Sequence, residues 1–294
     1  MNVSKKYVEI CHLVSLFMLA LLISSCGFTA KQHEQIGMFA TTTNVAVNTT
    51  VDFMISIRSQ VIEIRKERIA LGDMKVKSNV NLESTLKAHK IAQRVGTLRR
   101  LKTYADSLHA ALGISGWYLE GRKQEVVKGL VAKHSPVVAN VAEQIEQDLS
   151  LIGNSPCWPQ FRGGAEPGTT PVNAKTQSGI LDIFCTQADA LREHALNILH
   201  CPQVYTQGQD PKHCRMITST LRNRALTNYL AMNHAMDNAA TFSSKGTYSI
   251  QKLIAANDKM ETVIDDTPIV SDEIEAFDAA TAELTTMVEV LAGK

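Results

Sequence analysis

Residues 47–72 read VNTTVDFMISIRSQVIEIRKERIALG. Val47, Met54 and Val61 recur every seventh position, and Ile57, Ile64 and Leu71 recur beside them. That is the a/d seam of a helix lasting about three and a half heptads. Ile55, Ile62 and Ile69 add a second stripe, which predicts a helix buried on two sides. Gly72 and Asp73 predict its end. A polar connector over 74–80 leads to a second periodic stretch at about 82–112. There Ile91, Leu98, Ala105 and Leu112 form one row, and Leu101 and Leu108 the other. A short connector makes sequential helices neighbours, so an antiparallel hairpin of roughly 40–50 Å is expected.

Moving towards the C-terminus, a third helical region starts near Trp117. Ser135 and Pro136 are expected to cap a new or kinked helix there, with Val137, Val141, Ile145 and Leu149 on one face. Residues 153–177 hold four of the eight prolines and read as an irregular loop. Gly163, Gly164 and Gly168 lie in it, but no Gly-Lys-Ser/Thr follows and no strand precedes, so no phosphate loop is indicated. Ile180, Phe184, Ala188, Leu191, Ala195 and Ile198 then mark a fourth helix. A loop over 201–211 precedes a fifth, to about Phe242. A shorter helix at 249–263 follows. Ser271 caps the last one, with Asp272, Glu273 and Glu275 in its first turn, where the helix dipole favours negative charge. No stretch alternates with period two. The expected fold is all-α, an elongated antiparallel bundle with a long N-terminal helical hairpin.

Working back from residue 47, residues 27–45 are polar and Thr-rich and read as a tether. Residues 1–26 read MNVSKKYVEICHLVSLFMLALLISSC. Lys5 and Lys6 form a positive n-region, and Leu13 to Ile23 is an uncharged run of signal-peptide length. The run is short for a membrane span, which needs roughly 20 apolar residues. Ile23-Ser24-Ser25-Cys26 closes it with an aliphatic residue, two small residues and a cysteine. This segment resembles the lipobox of bacterial lipoprotein precursors. The resemblance implies Cys26 as the lipidated residue (palmitate-type acyl chains) and cleavage before it. With Gly27 in second position it implies export to the outer membrane of a Gram-negative bacterium, body in the periplasm. The competing reading is an ordinary cleaved signal, or an uncleaved anchor, in which Cys26 is incidental. The divisions expected are signal peptide 1–25, lipidated Cys and tether 26–45, hairpin and third helix 46–152, and Cys-containing loops with C-terminal helices 153–294, the last two forming one continuous bundle.

Cys157, Cys185, Cys201 and Cys214 remain beyond the signal. An even number in an exported chain favours two disulfides among three possible pairings. Cys201–Cys214 is favoured, with Cys157–Cys185 by elimination. A metal site is the sharper alternative: His200-Cys201 and His213-Cys214 flank one loop, with His194 upstream, and zinc takes such ligands. Their spacing matches no zinc motif, so no metal or other cofactor is assigned. A helical ligand- or metal-binding lipoprotein using these His/Cys loops stays as the alternative function.

The chain has 294 residues, 45% hydrophobic and 20% charged, with a net charge of +1. This is ordinary globular usage and no nucleic-acid footprint. The charge is polarised, however. Residues 27–134 carry 17 Lys and Arg against 9 Asp and Glu, whereas residues 135–294 carry 11 against 19. Lys87, Lys90, Arg94, Arg99, Arg100 and Lys102 form a candidate partner-facing basic set. Either the acidic last helix packs beside this hairpin, or the basic surface meets anionic headgroups or an acidic partner. No G-x-S-x-G, H-E-x-x-H, dinucleotide or Walker motif occurs, and no catalytic residue is assigned. His89, His109, His134 and His234 stand alone on helices. The expectation is a lipid-anchored envelope scaffold or adaptor without catalysis, partnered by the membrane and an envelope protein.

Overall fold

The computed structural model describes residues 28–72, 86–114, 120–151, 155–157, 179–201, 214, 217–265 and 271–291. Six helices occur among them, and no strand: α1 (Ala30–Ala70), α2 (Ala88–Leu112), α3 (Glu120–Leu149), α4 (Ile180–Leu199), α5 (Ser219–Asp265) and α6 (Asp272–Leu291). The protein is all-α, a helical bundle.

The expected tether is not one over residues 30–45. These residues are the first turns of α1, a 41-residue helix. Thr29 starts it with a capping box: its Oγ1 accepts from the Gln32 N–H at 3.2 Å, and its own N–H donates to Gln32 Oε1 at 2.9 Å. Of the threonines that look loop-like, Thr42 and Thr43 are buried in the helix and Thr41 is exposed. Thr43 Oγ1 donates to the Phe39 carbonyl and Thr50 Oγ1 to that of Ala46, so each hydroxyl is satisfied one turn back. Weak periodicity here reflects neighbours on several sides, since α1 packs against α2, α4, α5 and α6.

Both seam rows of α1 are buried, as are all six apolar positions named for α2. The hairpin is antiparallel. His33, near the start of α1, reaches the Leu112 carbonyl at the end of α2, and Asn44 Nδ2 donates to Asp106 at 2.9 Å. Two expected breaks are absent. α3 runs through Pro136, and Ser135 Oγ accepts from Asn257 Nδ2 of α5 at 2.8 Å instead of capping a new helix. α5 is one helix of 47 residues, about 70 Å. Its Gly246 is buried where the Leu149 side chain packs against it, so the glycine marks a close approach, not a stop.

One apolar core joins all six helices. Phe39 lies edge-on to Tyr104, with Phe277 also 6.1 Å away, and Phe53 stacks on Phe242 at 4.1 Å. α6 lies against α1 and α5. Thr42 donates to Asp278, and Lys245 and Lys259 pair with Glu283 and Glu273. The acidic last helix therefore packs beside the first arm of the hairpin, on a side where Arg94–Lys102 of α2 do not lie.

Candidate functional site

The six basic residues of the candidate set do not share a face. Helix geometry turns 100° per residue, so Lys90 and Arg99, nine apart, stand half a turn from each other. Arg94 points inward. Its Nε donates to both carboxylate oxygens of Asp148 on α3, at 3.0 and 2.9 Å, and only 4% of the Asp148 side chain is exposed. Burial raises the Asp148 carboxyl above its ordinary range, while Arg94 and the Ile180 N–H pull it back. Arg94 thus belongs to the joint of α2, α3 and the start of α4. Lys102 pairs with Asp106 within α2. Lys87, Lys90, Arg99 and Arg100 are exposed, with no ion pair among the described residues.

Arg99 borders a shallow groove of about 360 Å³ between α1 and α2. Val51, Ile55 and Arg58 line it from α1; Ile91 and Val95 line it from α2, with two alanines. No carboxylate is among these lining residues. The second stripe of α1 was expected to be buried, yet Ile55 is 55% exposed and Ile62 and Ile69 are half-buried. Of the stripe, Ile55 stands in the groove's wall. Small side chains at Ala88 and Ala92 keep the floor low, and a Cβ at Gly96 would meet nothing within 4 Å. The spacing of Ile55, Ile62 and Ile69 was the signal for this feature, but periodicity alone does not tell a covered stripe from an open one.

Cys157 is bonded to Cys185, and Cys201 to Cys214, with Cα–Cα separations of 5.6 and 5.5 Å. The pairing is the favoured one. Both sulfurs of the His/Cys loop are therefore spent in a disulfide and offer no thiolate to a metal. His194 Nε2 lies 3.1 Å from the Leu71 carbonyl, and His200 is the C-cap of α4. His213 lies outside the described residues. Among the described residues no group of three His, Cys, Asp or Glu is placed to hold a metal ion.

The lone histidines have local roles. His134 stacks on Tyr104 at 5.3 Å, and burial, then Lys133, lowers its pKa. His109 Nε2 lies 3.3 Å from Thr41 Oγ1, and His234 Nε2 3.2 Å from Asn238 Nδ2. Cys26 lies outside the described residues. No described helix is long and apolar enough to cross a membrane. No family model, curated protein or solved structure matches the chain.

Proposed function

We propose that this chain is a lipid-anchored scaffold or adaptor of a bacterial cell envelope, acting by where it holds a surface and not by turning over a substrate. The observation that carries the reading is the order within residues 1–26: two lysines, an uncharged run, two serines and Cys26. Two disulfides support an oxidising compartment such as the periplasm. Acyl chains on Cys26 would supply the two-chain anchorage that a stable attachment needs. Only Gly27 and Phe28 separate Cys26 from the N-cap Thr29. In this reading the described helical body starts within three residues of the anchor. Val51 to Arg58 lie about 30–40 Å along α1 from its start. That distance favours an envelope protein over lipid headgroups as the partner of the α1–α2 surface.

The test is Cys26→Ala in cells fed a labelled fatty acid. The expected result is loss of label and release of the chain from the membrane fraction. A variant that stays acylated and membrane-bound would end the proposal.

A further inference from the structure

The α1–α2 groove is apolar along its length and charged at one end. Val51 and Ile55 of α1 and Ile91 and Val95 of α2 line it with branched side chains. Ile91 is buried, whereas Ile55 is 55% exposed, so apolar surface stays wet in the isolated molecule. Thr41 meets His109 and Asn44 meets Asp106, and this antiparallel register sets Ile55 across from Val95 and Val51 across from Arg99. From Ala88 to Arg99 the groove follows about 16 Å of α2. Arg99 is exposed and makes no ion pair among the described residues. Arg58, nearer the other end, already has an interaction of its own. No carboxylate is among the lining residues, so nothing in the groove answers Arg99. The volume of about 360 Å³ lies at the lower end of small-ligand sites, roughly 300–1,000 Å³.

An apolar furrow that ends at one guanidinium is the complement of a single alkyl chain that ends in an anion. We propose that the groove binds a free fatty carboxylate, its head on Arg99 and its chain laid over Ile55 and Val95 towards Ala88. The head is a carboxylate because its two oxygens match the planar guanidinium fork. One furrow takes one chain, not the two of a phospholipid. A protein partner needs roughly 800 Å² on its side, far more than a furrow of this length offers. Bilayer headgroups are out of reach, since Val51 to Arg58 lie about 30–40 Å along α1 from its start, so the ligand enters as a monomer from solution. Binding removes the wet surface of Ile55 and Val95 from water, which drives it. The groove is open on one side, so the complex is weak and reversible. This ligand goes beyond the adaptor role and does not depend on lipidation of Cys26.

The test is titration of the full chain, with labelled methyl groups, by octanoate, decanoate and dodecanoate at low salt and below their micelle-forming concentrations. Saturable binding is expected, with nuclear resonance shifts at the methyl groups of Val51, Ile55, Ile91 and Val95. Affinity should rise about twofold per added CH₂, half the logarithmic effect of complete burial. Arg99→Gln should weaken dodecanoate about fivefold, the scale of an exposed ion pair, and leave dodecanol unchanged. Ala92→Leu fills the groove from an exposed helix position and should weaken both. Thermal melts verify that the two variants are folded. Three results would each overturn the inference: no saturable binding, shifts that appear equally at the exposed Leu226 and Leu230, or an Arg99→Gln effect that is the same for acid and alcohol. A single-chain phospholipid that binds more tightly than dodecanoate would overturn it too, by giving the groove to a phosphate head. Acylation of Cys26 is read by a separate label, so either proposal can fail alone.

Discussion

Arg94 and Asp148, 54 positions apart in sequence, are locked together by one guanidinium nitrogen shared between two carboxylate oxygens. The pair ties α2 to α3 at the point where the Ile180 N–H also reaches Asp148. An arginine that counts as surface charge in composition is thereby a structural residue.

This separates Arg94 from its neighbours in a measurable way. Arg94→Ala leaves a buried carboxylate without its cation and should lower stability by about 2–4 kcal/mol, less than full burial would give because Arg94 keeps some exposure. Asp148→Ala should cost a similar amount, and the double variant clearly less than the sum, since the interaction is lost once. Arg99→Glu with Arg100→Glu should stay within about 0.5 kcal/mol of the wild type, because both side chains are exposed. Denaturant unfolding of the four proteins decides it.

Gly179 offers a second contrast. A Cβ there would collide with the Gln147 carbonyl oxygen and sit 3.0 Å from that of Asp148, both of them backbone atoms that cannot swing away. Gly179→Ala should cost about 1–3 kcal/mol. Gly96→Ala, facing open space on α2, should instead stabilise by up to about 1 kcal/mol through helix propensity. Equal effects of the two substitutions on the melting temperature would contradict this geometry.

The Glu67 carboxyl accepts from Arg224 Nε and Nη2, each at 2.8 Å, and from Asn228 Nδ2 at 2.9 Å. The Arg224 hydrogen bonds foremost hold its pKa below the ordinary value. A carboxyl depressed in the folded state contributes stability above its unfolded pKa, about 4.3, and loses it as pH falls through the folded value. Arg224→Ala should therefore lower the melting temperature at neutral pH, and the gap from the wild type should close as the solution is acidified below pH 4. A gap that holds constant through that range would mean that the arginine stabilises by packing alone.

Cys157, Cys185, Cys201 and Cys214 should yield no free thiol in protein denatured without reductant. In the chain-entropy model the two bonds contribute about 3 to 4 kcal/mol each. Thiol counting after acid quench checks the pairing state, and a reduced sample should melt well below the oxidised one.

Much of the architecture is legible in the residues, and the failures have physical causes. The rows Val47–Met54–Val61 and Ile91–Leu98–Ala105 declare their helices because each faces a single apolar neighbourhood. Residues 30–45 hide theirs: threonines satisfied within the helix and packing on several sides leave no single stripe to count. The break expected between Phe242 and Ser249 is absent because the glycine in that stretch, Gly246, makes room for Leu149, which composition cannot show. The cysteine pairing is legible from the even count and the short Cys201–Cys214 loop, whereas the groove is not. Whether Ile55 is covered depends on helices far away in sequence, and so does the fate of Arg94.

The two disulfides also change what a cut in the chain can do. Residues 158–178 lie between Cys157 and Cys185, and residues 202–213 between Cys201 and Cys214. The connections on both sides of α4 are thus closed rings, not single threads. A protease that cleaves once inside either ring opens it without releasing a fragment, because the sulfur bridge still joins the two sides. Nicked protein would run as one band unreduced and as two after reduction, and the core built on Phe184, Ala188 and Leu191 would stay assembled throughout. Such a molecule tolerates a single cut on either side of α4 without falling apart.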